Sequence, residues 1–499
     1  MSKFLVTITP PTPNGDLHLG HLAGPFLAGD VCARVLRQLG HETLLVSYSD
    51  DYQSYLLRRS RESGRWHVDI AVANSAAIQR SMRSVDIAVS NFLQAYGNPY
   101  FLEEVNRYFD MIEDRALVER RAASIPFCKD CAVFGYEGFG RARCNYCGAS
   151  SDASQCEACA GAPEVARMGP MQCNLCKGTM TPVPVERLVW KLGLSFARLK
   201  KLYAAVSTRA HLSSYLERIL AQDGAEWPLT RPGEPSIPLA RHPDQPVHTW
   251  FAGLAGYRAT VREFLAKESR LESIQDWWNP SVTIVHFLGY DCSYSHAVAY
   301  RALLDIEGAA PRLVVPLTNR FLKLDGKDFS TSRNHAIWIK DISSAYPVDA
   351  IRFYVALKAP ENEVDDFNRA DFARWVESSY LPRFLRDPKW AGAGLRANPP
   401  AGEALARLQE PIADWRRSAQ PQSFSMAGMA RALEALLVEI EHTDGGANAH
   451  LWSLYGLLGQ ALHPGLSSRI AAAVHGRRPE AAEWSNAVMA GEAADVHSV

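Results

Sequence analysis

The sequence lacks both a long apolar run and an excess of charge of one sign. No stretch of about 18 uninterrupted apolar residues occurs, which argues against a membrane-spanning chain. Lys and Arg number 53 against 54 for Asp and Glu, so the formal net charge is −1 and gives no sign of a polyanionic partner. The first residues are strand-like and do not resemble a cleavable signal, so we expect a cytoplasmic protein with no membrane partner.

Internal repeats and low-complexity tracts are also absent. The 499 residues exceed what one compact domain usually holds, so several domains are expected. Hydrophobic residues make up 47% and charged residues 21% of the chain. This composition can bury sizeable cores and excludes a disordered protein.

Cysteine is scarce outside one short window. Two of the ten cysteines, Cys32 and Cys292, stand apart and are expected in the core. The other eight form four Cys-x-x-Cys pairs: Cys128/Cys131, Cys144/Cys147, Cys156/Cys159 and Cys173/Cys176. Two such pairs complete a closed tetrahedral site, so the window predicts two structural Zn²⁺ ions. A disulfide framework is the alternative, but it requires an oxidising compartment.

The spacing of the pairs favours one zinc arrangement over the two others that are possible. Only eight residues separate Cys147 from Cys156, so the two middle pairs are expected to share one ion. Because thiolates fill every ligand position, no open site remains for water, and the metals should hold structure rather than perform chemistry.

Strand and helix patterns alternate on both sides of the cysteine window. Residues 4–9 predict a strand, residues 22–39 a helix stopped by Gly40, and residues 43–48 a second strand. Strand and helix patterns resume near residue 281, and the chain is mostly helical after residue 360. The pattern predicts an α/β fold with a parallel sheet, an inserted module and a C-terminal helical domain. The expected divisions are 1–118 and 185–360 for the catalytic halves, 119–184 for the insertion and 361–499 for the helical domain.

A histidine motif follows the first strand, in the stretch from Asn14 to His21. A helix N-terminus attracts anions, and His18 and His21, one turn apart beside Gly20, suit nucleotide phosphates. The stretch resembles the His-Ile-Gly-His signature of class I aminoacyl-tRNA synthetases. That resemblance implies a Rossmann-like sheet, ATP with Mg²⁺ and an aminoacyl adenylate. It makes His18 and His21 catalytic and Asn14 and Gly20 contacts of ATP.

The second signature of this class, Lys-Met-Ser-Lys-Ser, resembles the segment from Asp328 to Arg333. Both motif lysines are missing here. Lys323, Lys327 and Arg333 could supply the positive charge, and the sequence leaves open which of them reaches the phosphates. By resemblance, the catalytic group also includes Ser330, Ser332, Arg333 and Lys327, while Lys323 contacts ATP.

Over about residues 1–385 the chain is most similar to the methionyl-tRNA synthetases. The cysteine window looks like the four-knuckle, two-zinc insertion of that family, in which the middle pairs bind one ion and the outer pairs the other. The segment from His286 to His296 and the aromatic pair Trp250 and Tyr257 are also similar. The resemblance implies that Asp51 binds the α-ammonium group, and that Gly289 and Asp291 face the ribose.

The amino-acid pocket departs from the family pattern. The residues aligned with apolar walls are Pro10, Thr12, Cys292, Ser295 and Tyr300. With Asp51, Trp250, Tyr257 and His296 they form the expected amino-acid site. Buried hydroxyls need hydrogen-bond partners, so this pocket predicts a polar or smaller substrate side chain. A pocket repacked around the same thioether is the alternative.

The C-terminal part departs further. Pro382, Arg386 and Trp390 stand where family members carry anticodon-reading residues, and Pro382 should kink that helix. The tail also lacks a basic face for tRNA, so tRNA is not an expected partner.

Three hypotheses follow. The first is a ligase that activates an amino acid and passes it to a small hydroxyl or amine acceptor. It resembles the synthetase-like halves of hydrazine synthetases, whose acceptor is an N-hydroxylated amino acid and which would need a separate cupin partner here. The second is a divergent methionyl-tRNA synthetase that charges tRNA. The third is a non-catalytic, amino-acid-sensing paralogue, which the intact His18 and His21 argue against.

Overall fold

A computed structural model describes residues 2–233, 237–329, 335–392, 402–442 and 449–475. Its strands are β1 (Lys3–Ile8), β2 (Glu42–Ser49), β3 (Asn91–Gln94), β4 (Val118–Cys128), β5 (Val133–Phe134), β6 (Gly140–Arg143), β7 (Ser150–Asp152), β8 (Gln172–Cys173), β9 (Thr181–Trp190), β10 (Trp227–Pro228), β11 (Thr283–Gly289), β12 (Leu313–Asn319), β13 (Leu322–Leu324), β14 (Lys327–Asp328) and β15 (Asp365–Phe367).

The α-helices follow the same chain order. They are α1 (Leu19–His21), α2 (Leu27–Gln38), α3 (Ser54–Ser63), α4 (His67–Ser84), α5 (Pro99–Glu113), α6 (Phe196–Tyr203), α7 (Ala210–Leu220), α8 (Thr249–Gly253), α9 (Gly256–Lys267), α10 (Ile274–Trp277), α11 (Arg301–Glu307), α12 (Ile339–Ala345), α13 (Val348–Leu357), α14 (Arg369–Trp375), α15 (Gly402–Ala419), α16 (Met426–His442), α17 (Ala449–Gly459) and α18 (Pro464–His475). Among the described residues, no helix has both the length and the apolar character of a membrane span.

Five strands form the central parallel sheet, in the order β12-β11-β1-β2-β3. Alternate residues of β1 enter different cores: Val6 and Ile8 join one, and Leu5 joins the other. This alternation is the period-two pattern of a strand that is covered on both faces. The predicted α/β parallel sheet is therefore confirmed.

The chain leaves β1 toward β2 and β3 on one side and later adds β11 and β12 on the other. The order of the strands thus reverses between β1 and β11. In open α/β sheets, ligands bind beyond the carboxyl ends of the strands at such a reversal.

The first predicted helix is present but interrupted. The short helix α1 is followed by a kinked turn, Leu22–Phe26, and then by α2. Gly24 in this turn has non-helical dihedral angles, with φ −90° and ψ −125°. The next residue, Pro25, disfavours a helical conformation of Gly24 and cannot donate a backbone hydrogen bond. Gly40 ends the helix region with a φ of +82°, a conformation that suits glycine.

A long antiparallel ribbon of two strands connects the insertion to the rest of the chain. Strands β4 and β9 pair from Val118 opposite Trp190 to Phe127 opposite Thr181. Between them the chain forms the small sheet β7-β6-β8 and the four Cys-x-x-Cys turns.

The cysteines assemble into two clusters of four. The outer pairs form one cluster, Cys128, Cys131, Cys173 and Cys176, and the middle pairs form the other, Cys144, Cys147, Cys156 and Cys159. In each cluster the four sulfur atoms lie within 4.8 Å of one another. This pairing confirms the one that the spacing favours.

The sulfur separations fit zinc and not disulfides. Three of them are 3.5 Å, 3.9 Å and 3.7 Å, for Cys128–Cys176, Cys144–Cys159 and Cys147–Cys156. Four thiolates about 2.3 Å from one Zn²⁺ in a tetrahedron lie about 3.8 Å apart, whereas bonded sulfurs are about 2.0 Å apart. Each cluster can therefore hold one structural Zn²⁺.

The C-terminal part is helical, as expected, and its prolines and aromatics have structural roles. Pro382 begins a π-helical turn that ends at Arg386, so the predicted distortion of this helix is present. The Trp390 side chain is buried, and Arg386 forms an ion pair with Glu377 at 2.5 Å.

We expect two zinc ions per chain by metal analysis of the purified protein. Cys144→Ser should remove one of them and lower the melting temperature by several degrees, because binding at a structural site contributes folding free energy. Cys292→Ser, outside both clusters, is the matched control and should retain both ions. A well-folded protein that contains no zinc and four disulfides would show that the clusters are not metal sites.

Candidate functional site

The residues singled out by the sequence converge at the carboxyl ends of β1, β2 and β11. Pro10 and Thr12 follow β1, Asp51 follows β2, and Asp291 follows β11. These strands are neighbours in the sheet, and the reversal of strand order lies between β1 and β11. The site therefore occupies the place where such sheets bind ligands.

The two motif histidines cap the helix that they open. The backbone N–H of Gly20 donates to His18 Nδ1, and the backbone N–H of His18 donates to His21 Nδ1, both at 3.2 Å. This reciprocal cap fixes both rings, whose centroids lie 3.9 Å apart. A Cβ at Gly20 would lie 3.1 Å from the His18 ring and 3.3 Å from the Phe329 ring, so a larger residue would push at least one of these rings away.

Burial and the neighbouring His21 lower the pKa of His18 to about 2, and burial lowers the pKa of His21 to about 4. Both rings are therefore neutral at physiological pH. Because Nδ1 accepts in each ring, the proton lies on Nε2. The pair thus offers two fixed N–H donors at a helix N-terminus, which is a suitable arrangement for phosphate oxygens.

Two described residues near the second signature, one within it and one after it, contact the first. The Phe329 ring stacks on the His18 ring at 4.9 Å, and Trp338 forms a β-bridge with His18. The predicted residues Ser330, Ser332 and Arg333 lie outside the described residues.

The two lysines before that segment lie on a small hairpin. Lys323 on β13 is half-buried and Lys327 on β14 is exposed. Within the described ranges, neither forms an ion pair.

A cavity of ≈ 120 Å³ opens beside the strand ends. Its walls are formed by Thr9, Pro10, Thr12, Tyr48, Asp50, Gln53, Tyr55, Gln155, Thr249, Trp250, Gly253, Cys292 and His296. Five of these, Pro10, Thr12, Trp250, Cys292 and His296, are residues that the sequence assigns to the amino-acid site. The volume is below that of pockets for drug-sized ligands and suits a small one.

Three other expected residues lie behind this wall. The rings of Tyr257 and His296 are 5.9 Å apart, and those of Tyr257 and Tyr300 are 5.3 Å apart. The hydroxyl of Ser295 lies 2.8 Å from His296 Nδ1. These side chains support His296 and do not form the cavity wall.

Two adjacent carboxyl groups point in different directions. Asp51 is fully buried, and its Oδ2 accepts hydrogen bonds from Ser49, from Gln94 and from the backbone N–H of Tyr96. Its Oδ1 has no partner among the described residues. Asp50 lines the cavity and accepts from Gln53 at 2.6 Å. Burial raises the pKa of Asp50 to about 7 and that of Asp51 to about 6.

Asp291 meets the zinc-knuckle module. The side-chain amide of Gln155, next to the cluster ligand Cys156, donates to Asp291 Oδ2 at 2.5 Å. Burial and the nearby Glu157 raise the pKa of Asp291 to about 6. A Cβ at Gly289 would lie 2.6 Å from Asp291 Oδ1, so a larger residue there would displace this carboxylate.

Some site residues were not identified from the sequence. Asp50 shares the face of β2 with Tyr48, so the period-two alternation of the strand could have indicated it. Gln155 has no such signal, because its position depends on how the inserted module packs on the sheet. His286 begins the family-like segment found in the sequence but was given no role there; its ring lies 5.0 Å from that of His296.

The arrangement combines donors for an anion with a carboxyl group in a small cavity. The histidine pair can hold phosphate oxygens, and Asp50 can hold an ammonium group when it is ionised. A ligand that joins a nucleotide and an amino acid would use both features.

Comparisons with known proteins agree with this geometry. A family profile described as tRNA synthetases class I (M) matches residues 4–382. A methionine–tRNA ligase of Methanobrevibacter smithii is 26% identical over 378 residues, which are 75% of this chain and 56% of that protein. One of Bacillus cereus is 28% identical over 370 residues, which are 72% of this chain and 67% of that protein. The chain thus spans about half to two thirds of the length of these relatives.

Solved structures share the fold. The crystal structure of Mycobacterium tuberculosis methionyl-tRNA synthetase bound by methionyl-adenylate superposes with a TM-score of 0.73 at 16% identity. The superposition covers 98% of this chain and 97% of that chain.

Proposed function

Because the chain belongs to the class I tRNA synthetases (M), we propose that it is an ATP-dependent ligase that activates an amino acid as an aminoacyl adenylate. The observation that carries this proposal is that two features follow β1 directly: Pro10 and Thr12 line a small cavity together with Asp50, and the histidine pair caps the next helix. An amino-acid carboxylate oxygen would form a bond to the α-phosphorus of ATP. The bond from that phosphorus to the β-phosphate oxygen would break, and pyrophosphate would leave with the electron pair.

The chain's own residues would bind and orient the reactants. The Nε2–H groups of His18 and His21 would donate to phosphate oxygens as charge shifts toward pyrophosphate. Holding carboxylate and phosphorus in line removes much of the entropic barrier. Mg²⁺ bound with ATP would neutralise phosphate charge.

Asp50 is the residue proposed to bind the α-ammonium group. It lines the cavity, whereas Asp51 does not, and Asp51 Oδ2 accepts from Ser49, Gln94 and Tyr96. Asp51 Oδ1 has no partner among the described residues, so Asp51 is the alternative ligand of the ammonium group. Asp291 and Gly289 are proposed to face the ribose from the end of β11.

The positive charge for the pyrophosphate is proposed to come from the second signature, through Lys323, Lys327 or Arg333. The proposed catalytic unit comprises residues 1–118 and 185–360. Residues 119–184 form the proposed zinc insertion, and residues 361–499 the proposed helical domain.

The names of the relatives support tRNA as the acceptor of the acyl group. A small hydroxyl or amine acceptor is the second candidate, and one observation favours it. The Trp390 side chain is buried, so one position expected to read an anticodon is engaged within the protein.

His21→Ala should lower the rate of amino-acid-dependent ATP–pyrophosphate exchange by about 100-fold or more, as expected for the loss of a fixed donor to a developing charge. His463→Ala, a buried histidine of the C-terminal helices, controls for a general effect of histidine loss. Absence of exchange with every amino acid in the wild-type protein would favour a non-catalytic role instead.

Asp50→Asn should raise the KM for the amino acid about 10–100-fold, because a charge-assisted hydrogen bond contributes about 1.5–3 kcal/mol. In the wild type, kcat/KM for the amino acid should fall as the pH drops below about 7, since Asp50 is then protonated. Asp50→Asn should flatten that profile. Asp51→Asn should lower thermal stability without removing the pH dependence. A flattened pH profile in Asp51→Asn, with the wild-type profile retained in Asp50→Asn, would instead assign the ammonium group to Asp51.

The acceptor can be identified by incubating the enzyme with ATP, total tRNA and the radiolabelled amino acid that gives the fastest exchange. We expect acid-precipitable aminoacyl-tRNA, with an affinity that falls steeply as salt increases because phosphate contacts release counterions. Intact exchange without any acylated tRNA would instead support the small-molecule acceptor. Faster AMP release on addition of small amines or hydroxy compounds would then detect it.

A further inference from the structure

Three arginines line a second cavity, which lies at the amino end of β12, away from the amino-acid site. The cavity has a volume of ≈ 350 Å³, and its wall includes Arg198, Arg301, Arg312 and Asp305. These residues come from α6, from α11 and from the loop that leads into β12. The strands of the central sheet are parallel, so the length of β12, about 20 Å, separates this cavity from the carboxyl ends that form the amino-acid site. Within the described ranges the two cavities share no lining residue.

Arg301 differs from the other buried arginines. Four arginines in the described part of the chain are more than nine-tenths buried. Three of them form ion pairs with carboxylates: Arg187 with Glu164, Arg231 with Glu137, and Arg352 with Asp30. Arg301 is 5% exposed and has no ion pair with a described residue. A buried charge is costly unless it is paired, so Arg301 requires an anion that the described chain does not supply.

The neighbours of Arg301 leave most of its guanidinium free. Asp305, one turn further along α11, pairs with Arg198 at 3.2 Å. One N–H of Arg301 donates to the backbone carbonyl of Arg312 at 3.0 Å, whereas a guanidinium carries five such donors. Its other nitrogen atoms are not enclosed by protein, so their N–H groups open into the cavity.

The cavity has a surplus of two positive charges. Arg198 and Asp305 neutralise each other, and neither Arg301 nor the exposed Arg312 has a carboxylate partner among the described residues. A phosphate monoester carries a charge of about −1.5 to −2 at pH 7 and three terminal oxygens. Two guanidinium groups can donate to these oxygens together, since their planar geometry matches phosphate. A single carboxylate would neutralise only one of them.

The cavity is larger than a phosphoryl group alone requires. Its volume of ≈ 350 Å³ is about three times that of the amino-acid cavity, ≈ 120 Å³. This size is at the lower end of the range for small-molecule pockets. Leu202 and Leu304 add apolar surface to the wall, which the organic part of a small ester can contact.

We propose that this cavity binds the phosphoryl group of a small phosphate monoester, which Arg301 and Arg312 hold, with Arg198 beside them. The site is separate from the phosphate contacts proposed for His18 and His21. It does not depend on the adenylation function, so either proposal can fail without the other.

Isothermal titration calorimetry at constant ionic strength tests the proposal, with inorganic phosphate, glucose 6-phosphate, glucose and succinate as probes. At least one of the two phosphate probes should bind with a Kd of about 1 mM or tighter. Glucose and the dicarboxylate succinate should bind at least about 10-fold more weakly than that probe. Weaker binding of both phosphate probes, or equal binding of glucose or succinate, would overturn the proposal.

Variants locate the bound phosphate. Arg312→Ala removes an exposed guanidinium and should weaken phosphate binding by about 10-fold or more. Arg301→Lys keeps the charge but removes the planar donor pair, so it should weaken binding as well. Arg374→Ala, which removes an exposed arginine of α14, is the matched control and should leave the Kd unchanged. Binding that is lost in His21→Ala and retained in Arg312→Ala would assign the phosphate to the catalytic site and overturn the proposal.

Discussion

One buried guanidinium connects the catalytic sheet to the C-terminal helices. Arg352 on α13 is fully buried and pairs with Asp30 of α2 at 2.7 Å. It also donates to the backbone carbonyls of Val85, at the end of α4, and of Ala461 and Leu462, between α17 and α18. A buried charge is tolerated only when it is paired and hydrogen-bonded, so these contacts must form together. These contacts, together with the apolar core that both parts share, hold the helical domain against the sheet.

A second buried ion pair connects the inserted module to the site. Glu137, between β5 and β6, is fully buried and pairs with Arg231 at 2.6 Å. It also accepts hydrogen bonds from Ser54 of α3 and from the Trp250 indole of the cavity wall. The zinc-knuckle module is therefore attached to the cavity at this pair as well as at Gln155. The site is assembled from the sheet and the module jointly.

Local features of the site could be predicted from the sequence, and non-local features could not. His18 and His21 lie within one helical turn, so their spacing alone indicated a paired arrangement. The cysteine pairing followed from chain separation, since short loops close more readily than long ones. Asp51 was the expected ammonium ligand, and only the structure shows that its neighbour Asp50 faces the cavity. Gln155 reaches the site through long-range packing, which has no periodic signature.

The central sheet can be completed only late in synthesis, because two neighbouring strands are far apart in the sequence. Strand β1 lies in the middle of the sheet, and its pairing with β11 joins Phe4 to Thr283. Translation proceeds at about 5–20 residues per second, so β11 is synthesised roughly 15–55 s after β1. During this time the edge of β1 that pairs with β11 has no partner. An unpaired central strand is prone to wrong pairing with other chains. The ribbon β4/β9 and its metal clusters close through contacts that are much more local, so the insertion can fold while the nascent sheet is still incomplete.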